Sequence, residues 1–303
     1  MPELQCPLCS NTVLLEEPFY YLFHERELCG YRCLRCGIIF LNPQPSAKEL
    51  VELYGSEYFE GGDFRCGHEG CYCDPATLNH VSDRGMLDEI RRWKTSGRFL
   101  EIGCAGGAFL NIVQEAGFAA EGVELSEAAA RIAQEKFGLK VFVGDVLSAA
   151  FESGRFDVIY MGDVIEHLPD PLKTIGELHR ILAEKGLLVL ALPSQTNTLF
   201  SRLGFAAYRR MHRRAMVSMP PYHLFEYRPC SLRYLLKSCG LNVVQLKQGL
   251  IPPSEIKLRG SMVQRWGKKI FQYPNWLLTH TFSSCGDRIT AFATKDQLST
   301  AMK

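Results

Sequence analysis

The sequence predicts a doubly wound α/β domain with a small zinc ribbon at its N-terminal end. Two Cys-x-x-Cys pairs occupy the first 40 residues, strand-like and helix-like segments alternate from residue 98 onward, and a glycine-rich turn follows the first of those strands. The chain has 303 residues, of which 47% are hydrophobic and 22% charged. This composition is that of a globular protein with a substantial core, and it excludes collagen-like, disordered and coiled-coil proteins.

The first 40 residues are expected to form a zinc-binding knuckle. Cys6 and Cys9 form one pair, and Cys33 and Cys36 form the other, with a β-hairpin expected between them. Two such turns facing each other supply four thiolates in a closed tetrahedral site, which is typical of structural zinc. A segment this short buries little core, so the metal would supply much of its folding free energy. Reduced cysteines without a metal are the alternative, and Cys29 is a weaker competitor as a ligand.

Residues 41–97 are expected to form a linker and a helical cap. The prolines at 43 and 45 mark a break, Ser46 is a plausible N-cap for a helix over residues 47–54, and a second helix is expected over residues 78–94. A glycine-rich loop between these helices contains four further residues of metal-ligating types, namely Cys66, His68, Cys71 and Cys73. They lack paired Cys-x-x-Cys spacing, so ordinary loop residues are favoured, and a second metal site stays undecided.

Residues 98–303 are expected to form the α/β domain itself. Strands are predicted at 98–102, 119–124, 140–144, 156–161 and 187–192, and helices at 108–116, 126–137 and 171–184. This alternation is typical of a parallel sheet with right-handed crossovers. Ligands of such sheets bind beyond the carboxyl ends of the strands.

The residues at those carboxyl ends predict an adenosine-containing cofactor. The first strand ends in a run from Glu101 through Gly103, Ala105 and Gly107, which lets a ligand approach the backbone closely. Glu124 ends the second strand, where a carboxylate can accept both ribose hydroxyls. Asp145 ends the third strand, where it can receive an adenine amino group.

These segments together resemble the class I S-adenosylmethionine-dependent methyltransferases. The resemblance lies in FLEIGCAGG (99–107), GVEL (122–125), GDV (144–146) and FDVIYMGDVIEHLPDP (156–171), and the last run is similar to the ubiquinone-type O-methyltransferases. The knuckle, LNPQP (41–45) and LYGSEYF (53–59) resemble zinc-carrying methyltransferases, including sugar C-methyltransferases.

The resemblance implies a Rossmann-like sheet of seven strands, with the last strand antiparallel at about residues 288–294, and S-adenosylmethionine as cofactor. It adds Leu125, Val146, Gly162 and Asp163 to the cofactor-binding residues. Ala105 stands where the family usually has a second glycine, and we expect it to adopt the turn with a negative φ. A nicotinamide dinucleotide is disfavoured because the G-x-G-x-x-G spacing and a second mononucleotide-binding half are missing.

Two histidines are candidate general bases for methyl transfer. His223 lies in PPYHLFEYRP (220–229), which resembles the Tyr-His-Glu-His-Leu segment of the sugar C-methyltransferases, although Glu226 comes three residues later. His167 follows the fourth strand, where the family places residues at the edge of the cofactor. A structural role is the alternative for each histidine.

Charge is unevenly distributed along the chain. Residues 1–196 contain 17 Lys and Arg against 29 Asp and Glu, whereas residues 197–282 contain 14 Lys and Arg against two Glu. The excess lies in two basic insertions, at 197–221 and 251–282, which we expect to cover the acceptor. Such segments favour an anionic partner, an anionic membrane surface or only solvent.

The sequence therefore predicts a methyltransferase acting on the O or C atom of a small acceptor that is anionic or lipid-linked, such as a nucleotide-linked sugar or prenylated phenol. An RNA base methyltransferase with a zinc ribbon and a non-catalytic cofactor-binding scaffold are the alternatives, and nucleic acid is the less favoured partner. Residues 1–25 lack the pattern of a signal peptide, so a cytoplasmic protein is expected, with peripheral membrane contact through the basic insertions.

Overall fold

A computed structural model describes residues 3–54, 80–250 and 273–295. Two sheets dominate the described part of the chain: one of seven strands and one of five. The seven-stranded sheet positions the candidate site.

The seven-stranded sheet has the predicted doubly wound topology. Its strands are β4 (Arg98–Ile102), β5 (Ala119–Glu124), β6 (Lys140–Val143), β7 (Phe156–Gly162), β8 (Leu182–Pro193), β11 (Asn242–Gly249) and β12 (Arg288–Thr294). Their order across the sheet is β11-β12-β8-β7-β4-β5-β6. Strands β4 to β8 are mutually parallel, and β12 is antiparallel to both of its neighbours. The expected seventh, antiparallel strand is therefore confirmed.

The helices follow the strands as the alternating pattern predicts. They are α1 (Ala47–Leu53), α2 (His80–Arg91), α3 (Ala108–Glu115), α4 (Glu127–Phe137), α5 (Pro171–Ile181), α6 (Leu199–Arg210) and α7 (Pro229–Ser238), and residues 273–282 are also helical. Ser46 caps α1 in a capping box with Glu49, as expected for that Ser. Asp170 caps α5, whose first residue is Pro171, and both features favour a helix start. No helix in the described ranges is long and apolar enough to cross a bilayer.

The five-stranded sheet contains the ribbon and two strands from much later in the chain. Its strands are β1 (Leu14–Phe23), β2 (Arg26–Cys33), β3 (Ile39–Asn42), β9 (Ala215–Val217) and β10 (Phe225–Glu226), in the order β10-β3-β2-β1-β9. The predicted hairpin is present as β1 and β2 and is longer than expected. Strand β10 pairs with β3 and strand β9 with β1, so both edges of the ribbon are covered by the C-terminal half.

Helix α6 packs on the ribbon rather than standing apart as a separate cover. Phe205 of α6 stacks on Phe19 of β1, with the ring centroids 5.6 Å apart. Arg209 at the end of α6 pairs with the buried Glu17, and Arg214 pairs with Glu16 and Glu27. The insertion at 197–221 therefore joins the ribbon to the main sheet.

Ribbon and main sheet share one hydrophobic core. Cys6, Leu8 and Ile38 of the ribbon belong to the same buried cluster as Leu190 of β8 and Leu232 of α7. A second cluster lies on the other face of the seven-stranded sheet, around Phe99 and Val113. Because the first cluster is continuous, movement of the ribbon would disturb packing at the carboxyl end of the main sheet.

Candidate active site

The glycine-rich turn after β4 adopts left-handed backbone conformations at three positions. Gly103, Ala105 and Gly107 have φ values of 72°, 46° and 80°. A Cβ on Gly103 would lie 2.5 Å from Cγ2 of Val164, so that glycine is required by space as well as by φ. The expectation of a negative φ for Ala105 is wrong, because the turn needs this conformation to direct the Ala105 amide towards Glu124. An alanine there costs about 1–2 kcal/mol relative to relaxed backbone.

Glu124 joins the turn to the end of β5. One carboxylate oxygen accepts the amide of Ala105 at 2.8 Å and the other accepts the amide of Ser126 at 2.9 Å. Burial raises the pKa of Glu124, and these amides oppose that shift. Each carboxylate oxygen retains a lone pair, so the group can still accept hydroxyl donors from a ligand.

Glu101 is buried next to this turn with an uncommitted acceptor. Its Oε2 atom has no hydrogen-bond partner among the described residues. Burial, together with the charges of Asp83 and Glu124, raises its pKa well above the usual range. An orphaned buried carboxylate is costly, and a ligand bearing hydroxyl or ammonium donors would relieve that cost.

The other predicted cofactor residues form the rim of the same edge. Leu125 directly follows β5 and is exposed, so its side chain is available as an apolar contact for a ligand ring. Asp145 follows β6, and its Oδ1 accepts the amide of Ser148 at 2.7 Å. Val146 is buried in the core, so its side chain supports the turn. These residues and the glycine-rich turn fit an adenosine-containing ligand.

Gly162 and Asp163 end β7 on the other side of the turn. Asp163 adopts a φ of 52° and accepts two hydrogen bonds from Arg288 of β12, at 2.7 and 2.9 Å. A Cβ on Gly162 would lie 2.5 Å from the hydroxyl of Tyr160. Residues 163–170 connect β7 to α5, and we call this segment the strap. It is therefore fixed close to the glycine-rich turn.

His167 lies in that strap and is held by the cap and by the segment before α7. Its Nδ1 lies 2.8 Å from the carbonyl oxygen of Tyr222 and 3.0 Å from the hydroxyl of Tyr54. Burial and the neighbouring His223 lower its pKa to about 3, so His167 is neutral near pH 7.

The imidazole of His223 lies beside that of His167, but its pKa is shifted in the opposite direction. The two rings are 5.1 Å apart in an edge-to-face arrangement, and His223 Nδ1 lies 3.3 Å from Glu226 Oε1. Burial opposes its charged form, but Glu226, Glu166 and Asp163 outweigh burial and raise its pKa. The departure noted in the sequence, an acid three residues after the histidine, therefore supplies the partner of that histidine.

Glu166 completes the cluster and was missing from the sequence-based site. It is buried, and neither carboxylate oxygen accepts a hydrogen bond from the described residues. Burial and the charge of Asp163 raise its pKa to about 8. Its position beside His167 was visible in the sequence, but its burial depends on residues 222–226 packing over the strap.

The side chains of Glu166, His167 and His223 are close enough to one another to hold a metal cation. One ligand atom from each of Glu166, His167 and His223 lies within 4.8 Å of the others. Both Nδ1 atoms are already engaged, by Tyr222 and by Glu226. We interpret the group as a proton-holding cluster, which we call the acid–histidine cluster.

The four predicted zinc ligands converge in the ribbon. Sγ of Cys6 lies 3.6 Å from that of Cys36, and Sγ of Cys9 lies 3.5 Å from that of Cys33. Tetrahedral zinc with bonds of about 2.3 Å places its sulfur ligands about 3.8 Å apart, so the spacing fits. The hydrogen bond from Cys36 lowers the pKa of Cys6 to about 5, which favours a thiolate. Cys29 lies elsewhere, beside Arg214.

The basic insertions are only partly described. Arg209 and Arg214 are paired with acids of the ribbon, whereas Arg210 and Arg213 are exposed. Residues 251–272 of the second insertion, and Cys66, His68, Cys71 and Cys73, lie outside the described residues.

Comparison with known proteins assigns this chain to one family. A family model described as a methyltransferase domain matches residues 79–246, more than half of the chain. The protein therefore belongs to the methyltransferase domain family, in agreement with its sheet order and with the glycine-rich turn.

Individual proteins similar to this chain are also named as methyltransferases. Norajmaline N-methyltransferase of Rauvolfia serpentina is 30% identical over 168 residues, covering 46% of this chain and 56% of the relative. A ubiquinone biosynthesis O-methyltransferase of Pseudomonas aeruginosa is 27% identical over 124 residues, covering 39% and 50%. The match thus spans about half the length of these two relatives. A crystal structure of a SAM-dependent methyltransferase from Archaeoglobus fulgidus has the same fold, with a TM-score of 0.50, 18% identity, and coverage of 71% of this chain and 93% of that one.

Proposed function

We propose that this protein transfers the methyl group of S-adenosylmethionine to an O or C atom of a small acceptor that loses a proton in the reaction. The observation that supports the proposal is that the segment containing His167 packs against the glycine-rich turn through Val164. Val164, next to Asp163 and three residues before His167, packs against Gly103 of the turn, and the His167 ring contacts that of His223. In this proposal the cofactor site and the base are neighbours.

The residues of the glycine-rich turn and the strand ends would hold the cofactor. Glu124 would accept the ribose hydroxyls, Asp145 and Leu125 would contact the adenine, and Glu101 offers an acceptor for a donor at the other end of the ligand. When bound, S-adenosylmethionine supplies a sulfonium methyl group that a nucleophile attacks in line. The chain itself must position the acceptor and remove its proton.

His223 is the group we assign to proton removal. When its Nδ1–H donates to Glu226, the lone pair lies on Nε2, which is the form that a general base requires. Glu226 then stabilises the imidazolium that forms when the proton arrives. His167 stays neutral and fixes the Tyr222 carbonyl next to His223, so we assign it a positioning role.

The acceptor would enter a cleft between His223 and the ribbon. A shallow depression adjoins His223 and Glu226, and its other wall is formed by Phe19, Tyr21, Ile39, Phe40 and Leu41. An apolar wall facing a polar one suits a ring or short chain that bears a hydroxyl group. In this proposal the zinc holds the ribbon together and takes no part in the chemistry.

Transfer of labelled methyl groups tests the proposal. Purified protein would be incubated with methyl-tritiated S-adenosylmethionine and separate lipid, nucleotide-sugar and RNA fractions of a cell extract. We expect label in a small-molecule fraction, and loss of that label in a His223→Gln variant. Label confined to nuclease-sensitive RNA would contradict the acceptor class, and binding of cofactor without transfer to any fraction would contradict the activity.

A further inference from the structure

Arginines gather around one buried carboxylate at the junction of the ribbon, α6 and α7. Glu17 of β1 is fully buried and pairs with Arg32 of β2 at 2.8 Å and with Arg209 of α6 at 2.6 Å. Two guanidinium groups thus share a single negative charge.

Two further arginines at this junction donate to neutral acceptors and form no ion pair within the described part of the chain. Arg228, which precedes α7, donates to the carbonyl oxygen of Thr196 at 2.9 Å, and Arg202 of α6 donates to the side-chain oxygen of Asn197. Both acceptors are neutral. Burial, and then the charges of Arg32 and Arg202, lower the pKa of Arg228. Four guanidinium groups against one carboxylate leave three positive charges without a counterion in this group of residues.

Two buried hydrogen-bond donors in this group of residues have no acceptor among the described residues. Nε of Arg228 and Oγ1 of Thr196 are buried and have no partner among the described residues. Thr196 is 6% exposed, and its carbonyl oxygen is the one that Arg228 contacts. Buried donors that lack acceptors are rare in folded proteins, and an anion with several oxygen atoms would satisfy both.

The position of this group in the fold connects it to the acceptor. Thr196 and Asn197 form the turn directly after β8, at the carboxyl edge of the main sheet. Tyr227, next to Arg228, accepts a hydrogen bond from Ser194 at the end of the same strand. His223 and Glu226 precede Arg228 by only a few residues, on the segment that lines the cleft.

We propose that Arg32, Arg202, Arg209 and Arg228, with the hydroxyl of Thr196, form an anion site for a phosphate or diphosphate group on the acceptor. Planar guanidinium groups bind phosphate oxygens in pairs, and partial burial strengthens each contact. The identity of the ligand as the acceptor rests on the proposed function. The anion site itself does not, because it stands on the arginines alone. Arg210 and Arg213, the exposed arginines of the insertion, have no part in it.

Calorimetric titration with inorganic pyrophosphate tests the site directly. The full-length, zinc-loaded protein would be saturated with S-adenosylhomocysteine, so that pyrophosphate cannot occupy the cofactor site. We expect saturable binding that weakens with added salt. Arg228→Gln and Arg202→Gln should each raise the Kd about tenfold to a hundredfold. Arg210→Gln removes one positive charge from α6, as Arg202→Gln does, but it should leave the Kd unchanged.

Arg202 is exposed, so its variant should fold even where Arg228→Gln does not, and circular dichroism would verify this. Absence of saturable pyrophosphate binding would overturn the proposal, as would equal Kd values for Arg202→Gln and Arg210→Gln. Uridine diphosphate and geranyl diphosphate, titrated in the same way, distinguish a nucleotide-linked acceptor from a lipid-linked one by which binds more tightly than pyrophosphate. Intact cofactor binding and methyl transfer without pyrophosphate binding would reject the anion site and leave the proposed function standing.

Discussion

His167 and His223 show how position alone divides two identical side chains into two roles. Their rings are in contact, yet burial and His223 lower the pKa of His167 to about 3, whereas Glu226 and its acidic neighbours raise that of His223 against the effect of burial. His167 therefore stays neutral near pH 7, whereas His223 takes up a proton more readily than a free imidazole does. His223 is therefore the member of the pair that can accept a proton and release it again in each turnover.

Replacing His223 by Gln should lower kcat by about 10²- to 10⁴-fold, the usual contribution of a general base. Wild-type activity should fall as the pH drops, because the imidazolium cannot accept a proton, and this limb should lie above pH 6.5 because the pKa is raised. The limb should be missing in the variant. Steady-state kinetics across pH measures both effects.

The control is His212→Gln. Because His212 is exposed on the insertion at 197–221, this variant should have the wild-type kcat. Repeating the profile with a chelator removes any cation held by Glu166 and the histidines. If the His223→Gln variant has the wild-type pH profile, another residue is the base. If brief chelation abolishes wild-type activity, the acid–histidine cluster is a metal centre rather than a proton-holding group.

Glu166 should make stability depend on pH in a defined direction. Its pKa is raised to about 8 by burial, so the folded state holds a proton that the unfolded state has lost. Stability from this group is complete below the unfolded pKa of about 4.3 and declines as the pH rises through 8. The raised pKa of His223 acts in the same direction above pH 6.5, whereas the lowered pKa of His167 acts oppositely below 6.5.

Between pH 6.5 and 8, denaturant unfolding should therefore show a smaller decline in stability for Glu166→Gln than for the wild type. Glu127→Gln, at an exposed position of α4, is the matched control and should follow the wild-type curve. A variant whose decline equals that of the wild type would show that the carboxyl group is already ionised in the folded protein.

The long elements followed from the sequence, but the short strands did not. Strands β4 to β7 and helices α3 and α4 lie close to their predicted bounds because their periodicity is local. Helix α5 ends at Ile181, three residues before the predicted end, because Leu182 already pairs with Phe156 of β7. Strands β9 and β10 contain three and two residues, and only their pairing with the ribbon makes them strands.

The contact between Gly30 and Phe19 is a test of how tightly the ribbon is packed. A Cβ on Gly30 would overlap the ring of Phe19, which in turn stacks on Phe205 of α6. Gly30→Ala should lower the free energy of unfolding by about 1–3 kcal/mol. Gly204→Ala, in the interior of α6 with open space around it, should raise stability by about 0.5–1 kcal/mol. Urea unfolding measures both, and an unaffected Gly30→Ala variant would mean that Phe19 is free to move.

Zinc should bind at one ion per chain and stabilise the ribbon. Cys33→Ser removes a thiolate from the four-sulfur group, so elemental analysis should find the zinc lost and unfolding should occur at lower temperature. Cys29→Ser changes a cysteine of the same strand outside that group and should retain the metal. Stoichiometric zinc in the Cys33 variant, or its loss in the Cys29 variant, would contradict the ligand set.

Considered together, the two sheets form one unit, and this limits what the sequence alone could predict. The residues that we assign to the cofactor, such as Glu124 and Gly103, lie at strand ends and in the turns after them, so local motifs were sufficient to propose them. The residues that we assign to the acceptor come from three distant parts of the chain, namely Tyr54, Glu166 and the segment from Tyr222 to Glu226, and they meet only in the folded protein. Arg214, expected to cover an acceptor, was instead found paired with ribbon acids because β9 aligns with β1.

Calorimetric titration of the purified protein with S-adenosylmethionine measures whether this edge of the sheet binds the cofactor. We expect one binding site per chain, with an affinity about tenfold to a hundredfold weaker in Glu124→Gln, because charge-assisted hydrogen bonds to the ligand are lost. Glu121→Gln is the matched control, because Glu121 lies on the same strand but pairs with Arg155 and Lys140, and it should bind as the wild type does. No binding by the wild type, or equal affinity in the Glu124 and Glu121 variants, would contradict the assignment of this edge of the sheet as the cofactor site.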